Sequence, residues 1–222
     1  MLSKLEDLIK FFGDYPTWVI LTSIFLFVSS ITILILFNPN KKQNLDYLNG
    51  NLKGQPMLHI GTHHFADISD IETLKKNWKG PITSKEKTKK IDFIEAVNKG
   101  YPVLHLEAPI GDDYIEFEDG KMTSDQFKEI LSTDLSKTQL VILSACNSFS
   151  VGKALDDSKV THSIVATTNL ETTYATSFYE AFYSELSSDA TIEEAYDRAL
   201  AKAYGLYGTK SHLKLSKYYP NE

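Results

Sequence analysis

Cysteine occurs once in the 222 residues, at position 146, and arginine once, at position 198. A single cysteine cannot close an intramolecular disulfide, which fits a reducing compartment. With Lys and Arg totalling 23 against 29 Asp and Glu, the net charge is −6 and no basic stripe forms. Binding to nucleic acid through its phosphates is therefore not expected. No Cys/His cluster has zinc-site spacing, and the adjacent pair His63–His64 is without further ligands, so neither metal nor cofactor is predicted. Internal repeats, low-complexity tracts and the paired carboxylates of glycosidase chemistry are also missing.

What the chain does have is one long apolar run. Tyr15 to Asn40 contains no charged residue, and Thr17 to Phe37 is dominated by Val, Ile, Leu and Phe. At about 1.5 Å rise per residue this stretch reaches roughly 30 Å, the thickness of a bilayer's hydrocarbon core. Tyr15 and Trp18 sit where an aromatic belt belongs. A cleaved signal peptide does not fit, because Glu6, Asp7 and Asp14 precede the run and no small-residue cleavage site follows. A transmembrane helix is predicted over 15–38. Before it, Leu2, Leu5, Leu8, Ile9 and Phe12 recur at helical spacing, predicting an amphipathic interfacial segment over 1–14. Lys41 and Lys42 follow the span at once, which biases a single-pass protein of the cell membrane toward a cytoplasmic C-terminal domain. Residues 39–55, rich in Asn, Gly and Lys, read as a linker, and 56–222 as the globular domain.

Within that domain strands and helices alternate. Met57–Ile60, Pro102–Ala108, Leu140–Ala145 and Ser163–Thr167 read as buried strands, and Leu213–Tyr219 as an edge strand. Glu118-Asp119-Gly120 marks a hairpin between Tyr114–Phe117 and Lys121–Met122. Helical patterns cover Ile68–Trp78, Thr88–Asn98, a segment capped by Thr123 and ending at Leu131, Thr172–Leu186 and Ile192–Tyr204. The fold class is therefore α/β, a mostly parallel sheet with helices on both faces, preceded by one transmembrane helix. In such sheets chemistry gathers at the carboxyl ends of the strands. Gly61–Phe65, Pro109–Asp113 and Cys146–Gly152 meet that edge.

The run Leu140–Leu143 delivers Cys146 to the end of a buried strand, among the small residues Ser144, Ala145 and Ser148. That is where a cysteine nucleophile sits in several α/β hydrolases, although a buried structural cysteine gives a similar pattern.

Together these segments resemble the CHAT domains of the caspase/hemoglobinase superfamily of cysteine peptidases. The resemblance covers residues 57–205. It rests on the strand Val103-Leu104-His105-Leu106, the hairpin Tyr114 to Gly120 and the block Leu143-Ser144-Ala145-Cys146-Asn147-Ser148. Ser163 to Thr168 and the two helices that follow complete it. The resemblance implies a caspase-like fold, Cys146 as nucleophile and a histidine-glycine pair closing the histidine strand. Here that strand reads His105-Leu106-Glu107-Ala108-Pro109-Ile110-Gly111. His105 matches the family's first histidine, and Gly111 is the candidate match for the glycine, a backbone oxyanion contact. Pro109 or Ile110 replaces the catalytic histidine. Proline cannot transfer a proton, and a positioned acid–base contributes roughly 10²–10⁴ in rate.

His105 lies more than about 10 Å back along its strand from the lost position. It reads as a satisfied core histidine and is counted among the residues lining the site, with Pro109, Asp112, Ser144 and Asn147. Asp112, Asp113 and Glu107 could pair with a basic target group or form a solvated loop. His63 and His64 are the candidates for a relocated base. His162 precedes its strand, at the wrong edge.

Three functions follow. The first is a membrane-anchored, degenerate peptidase that binds a protein or peptide partner as a scaffold. The resemblance implies bacterial defence or signalling for it, and oligomers are left open. The second is an active cysteine endopeptidase using Cys146 with His63 or His64. The third is a membrane-disrupting effector with a sensing domain.

Overall fold

The computed structural model describes residues 51–62, 71–155, 158, 160–208 and 212–217. The interfacial segment 1–14, the span 15–38, the linker up to residue 50, and both His63 and His64 lie outside the described residues. Among the described residues no helix is long and apolar enough to cross a membrane.

The described residues contain eight strands: β1 (Met57–Gly61), β2 (Ile82–Lys85), β3 (Val103–Glu107), β4 (Tyr114–Phe117), β5 (Gly120–Thr123), β6 (Leu140–Leu143), β7 (His162–Ala166) and β8 (Leu213–Lys217). The helices are α1 (Ile71–Asn77), α2 (Lys90–Val97), α3 (Ser124–Ser132), α4 (Phe149–Lys153), α5 (Thr172–Leu186) and α6 (Ile192–Tyr207). Six strands form one sheet in the order β2-β1-β3-β6-β7-β8, parallel except for the last pair, and β4–β5 is a separate hairpin. The strands β1, β3, β6 and β7 are buried throughout because both of their faces are covered, which is why they read as near-continuous apolar runs.

Alternation divides each strand between two cores. Met57, Val103, Leu140, Ile142 and Ile164 pack under α5 and α6 with Phe178, Phe182 and Ala199. Leu58, Leu104, Val141 and Val165 face the other way, against Phe93 of α2 and Phe127 of α3. Helix starts follow local chemistry. Thr123 Oγ1 accepts the Gln126 amide while Gln126 Oε1 accepts the Thr123 amide, and Thr191 and Glu194 repeat this reciprocal cap on α6.

Two elements have no counterpart in the sequence reading. The edge strand β2 carries only one large apolar residue and is half exposed, so its pattern is weak. The five-residue α4 contains Gly152, and a Cβ there would stand 2.3 Å from Val165 Cγ1. The glycine that weakens the helical signal is what lets α4 lie directly on β7.

Candidate functional site

The parallel strands β3, β6 and β7 end side by side, and Cys146 sits three residues past the end of β6. The turn bearing it is fixed from both neighbours. The Ser144 amide donates to Leu106 O of β3 at 2.9 Å. Ser148 Oγ is fully buried, donates to Leu143 O at 3.1 Å and accepts the Ala166 amide of β7 at 2.8 Å. One hydroxyl therefore ties the ends of β6 and β7 and explains a buried serine two residues beyond the thiol. Asn147 takes a left-handed backbone, φ 54°, which turns the chain sharply behind the thiol and into α4.

Cys146 is half-buried, packs against the α5–α6 core and has its Sγ engaged. The segment after β7 crosses it: the Leu170 amide donates to Sγ at 3.3 Å, and the Asn147 amide donates to Thr168 O at 3.1 Å. The Asn147 side-chain amide reaches Asn169 Oδ1 at 3.4 Å. Thr168 is held in turn by His212, whose Nδ1 lies 2.8 Å from Thr168 Oγ1. The sequence does not single out His212, which immediately precedes β8, whereas His162 is the first residue of β7, at the opposite edge. Yet β8 runs antiparallel to β7, so its start lies at the carboxyl edge of the parallel strands. Only the direction of that last strand distinguishes the two histidines.

The segment after β3 is zipped onto the hairpin. Pro109 O accepts the Glu116 amide at 2.9 Å, and Ile110 bridges to Ile115. The Gly111 amide donates to Tyr114 O at 2.9 Å, and a Cβ on Gly111 would stand 2.3 Å from the Tyr114 ring. The Gly111 amide, expected as an oxyanion contact, is used in this turn, and the glycine packs closely against the tyrosine. Asp112, expected to line the site, is exposed in that turn with Asp113.

Behind the edge lies a buried polar network between the sheet and α5. His59 of β1 and His105 and Glu107 of β3 point to the same sheet face. His59 Nε2 lies 3.2 Å and His105 Nε2 3.6 Å from Glu107 Oε1, with both partners of each pair almost wholly buried. The other ring nitrogens are held by hydroxyls: His59 Nδ1 by Ser84 Oγ at 2.9 Å, and His105 Nδ1 by a short hydrogen bond with Tyr183 OH. Burial, reinforced by the neighbouring His59, holds His105 well below the ordinary imidazole range. Burial pushes the Tyr179 phenol up; the adjacent Ser144 hydroxyl opposes this and Glu107 adds to it. Ser144, two residues before the thiol, thus faces this network and not solvent. His105 serves the same network, inside the molecule.

A family model described as the CHAT domain matches residues 37–213. The chain belongs to the CHAT domain family. The crystal structure of gingipain R, an Arg-specific cysteine proteinase, matches this CHAT domain with a TM-score of 0.53 at 10% sequence identity, covering 75% of this chain and 48% of that one. At that identity the likeness shows the fold, mixed α/β with a mostly parallel sheet. The CHAT chain spans about half the length of the proteinase chain it matches, 48%. No curated protein matches. The CHAT domain is thus related in fold to cysteine peptidases, with Cys146 at the carboxyl edge, Pro109 beside the hairpin and the network of His59, Glu107 and His105 behind.

Proposed function

We propose that this CHAT domain is a degenerate peptidase that binds a protein or peptide partner and does not cleave it, held at the cell membrane by the apolar segment 15–38 with the domain on the cytoplasmic side. One observation carries the reading. The chain that leaves the histidine strand toward the edge is Ala108-Pro109-Ile110, hydrogen-bonded to the hairpin, with no group able to take a proton from Cys146 or give one to a leaving amine. The Leu170 amide on Sγ and the use of the Asn147 amide by Thr168 support it, since a reacting carbonyl needs open access to the thiol and unspent donors. The membrane part is supported by the uncharged run Tyr15 to Asn40. A bacterial defence or signalling role follows from the family resemblance alone.

A second reading, an active cysteine endopeptidase, is favoured by His212 at the same edge and by the position of His63 and His64 directly after Thr62, beyond the end of β1. Alkylation kinetics separate the two. The full chain is treated with peptidyl acyloxymethyl ketones of varied side chain, and the rate at Cys146 is compared with that of glutathione. The scaffold reading expects a rate no faster than the free thiol. A rate roughly 10²-fold above it, suppressed by His63→Ala, His64→Ala or His212→Ala, ends that reading in favour of the peptidase. Release of the full chain from membranes by alkaline carbonate without detergent would remove the anchor from the proposal.

A further inference from the structure

The buried cluster of His59, Glu107 and His105 lies between the sheet and α5. Glu107 Oε1 holds His59 Nε2 at 3.2 Å, while His105 Nε2, 3.6 Å from the same oxygen, has no hydrogen-bond partner among the described residues. One carboxylate balances one imidazolium, so a second proton would leave the cluster with a buried positive charge. The groups around it are neutral. From α5 come the phenols Tyr179 and Tyr183, from the end of α1 Trp78, edge-on to Tyr183, and from β2 the hydroxyl of Ser84. Lys85 of β2 points to the opposite sheet face, and Glu72 and Lys75 of α1 pair with each other at the surface, 2.7 Å apart. The cluster has two outlets. Toward solvent, His59 Nδ1 lies 2.9 Å from the hydroxyl of Ser84, an exposed residue on the edge strand β2, so a proton can reach the imidazole from water. Toward the thiol, the Ser144 hydroxyl is wholly buried beside the Tyr179 phenol. The backbone repeats the link: Leu106 O accepts the Ser144 amide and Glu107 O accepts the Thr62 amide, both at 2.9 Å. The last two residues of β3 therefore hold the turn before Cys146 and the chain that leaves β1.

We propose that this cluster is an acid-operated latch on Cys146: uptake of a further proton by the buried histidines, supplied from solvent at Ser84, frees the ends of β3 and β6 and opens the turn that carries the thiol. Closed, the cluster refuses that proton, since burial and the neighbouring His59 hold His105 well below the ordinary imidazole range. Opened to water, the imidazole returns to about 6.5. The open form is therefore favoured as the pH falls below that value, by roughly tenfold per unit at most for a single proton. The coupling runs through Ser144, which meets β3 by its amide and Tyr179 by its hydroxyl, two residues before the thiol. The latch governs access to Cys146, and it holds whether the thiol reacts or only lines a partner's surface.

The test uses the purified full chain, whose sole thiol is Cys146, and the disulfide reagent 4,4′-dithiodipyridine. The rate at Cys146 is divided by that of glutathione at the same pH, from pH 8 to 5. The ratio should be level above about pH 7 and rise roughly fivefold between about pH 6.5 and 5.5, as one proton taken up near 6.5 requires. Dilute urea should leave the rise unchanged, because a local opening exposes little surface and global unfolding exposes much. His105→Gln should abolish the rise. Tyr179→Phe, which removes only the hydroxyl beside Ser144, should shrink it while the urea midpoint still declines in acid. A level ratio down to pH 5, a rise that grows with urea, or a rise unchanged in His105→Gln or in Tyr179→Phe would overturn the proposal. A rise that survives His105→Gln but is lost in His63→Ala, His64→Ala or His212→Ala would belong to a thiolate–imidazolium pair. That outcome ends the latch and favours the peptidase reading, so the two questions fail separately.

Discussion

The backbone amide of Leu170 donates to Cys146 Sγ at 3.3 Å, while the Leu170 side chain is only 7% exposed and packs in the α5–α6 core. The thiol is therefore strapped by a segment whose own anchor is hydrophobic. Leu170→Ala should loosen the strap and cost about 2–3 kcal/mol, since most of a buried leucine side chain is removed. Faster alkylation of Cys146 by iodoacetamide, together with a lower urea midpoint, is the expected pair of results. An unchanged alkylation rate in the destabilised variant would show that the strap does not shield the sulfur.

Glu107 has no solvent exposure and holds His59 at 3.2 Å. Glu107→Ala should cost about 3 kcal/mol or more, because it leaves two buried imidazoles facing an empty site. Glu107→Gln retains an oxygen for His59 and should cost less. Equal losses on denaturation would mean that the carboxylate acts by volume and not by its contacts with the histidines.

The pH dependence of stability carries two separate signatures. His105 is held well below its ordinary range by burial and by His59, and it is faced by Glu107, Tyr179 and Tyr183. Below about pH 6.5 the unfolded chain binds a proton that native His105 refuses. Its contribution to stability is thus complete above that pH and falls as the pH drops. For Glu193, burial alone would raise the carboxyl, but hydrogen bonds from Lys217, its own backbone and His162 outweigh this and hold it at about 2. Its contribution is complete above about pH 4.3 and is lost as the pH falls toward 2. Urea midpoints measured from pH 8 to 3 should show a first decline below about 6.5 that His105→Gln flattens. Glu193→Gln should flatten the lower decline and steepen the upper one, because Glu193 is what raises His162 against the lowering by burial.

Gly152 of α4 touches β7, where an added Cβ would stand 2.3 Å from Val165 Cγ1. Gly152→Ala should destabilise by about 1–3 kcal/mol. Val165→Ala, made in the same chain, should recover part of that loss because it removes the clashing methyl. A double variant whose loss equals the sum of the two single losses would show that the contact is not the cause.

Much of the sheet is legible in the sequence because its central strands are buried on both faces, so Leu140–Leu143 stands out as a continuous apolar run and Val103–Glu107 as an apolar strand interrupted by His105 and Glu107. The caps at Thr123 and Thr191 are legible for a similar reason, since their chemistry is local. The motif around Cys146 marks the edge where the thiol sits. A glycine packed against a ring, as Gly111 is against Tyr114, and a glycine needed for a free amide look alike in one dimension. His212 is not legible in the sequence because its proximity to Thr168 depends on an antiparallel pairing 44 residues away along the chain.

By itself, the sequence determined the alternation of strands and helices, the family resemblance and the replacement of the expected histidine by Pro109, since each is written in adjacent residues. Tertiary structure alone decided what surrounds the thiol. The Leu170 amide on Cys146, the Ser148 tie between two strand ends and the burial of His59, Glu107 and His105 beneath α5 all join segments distant in sequence. No local pattern encodes such pairings; they arise only when parallel strands are brought into register and covered.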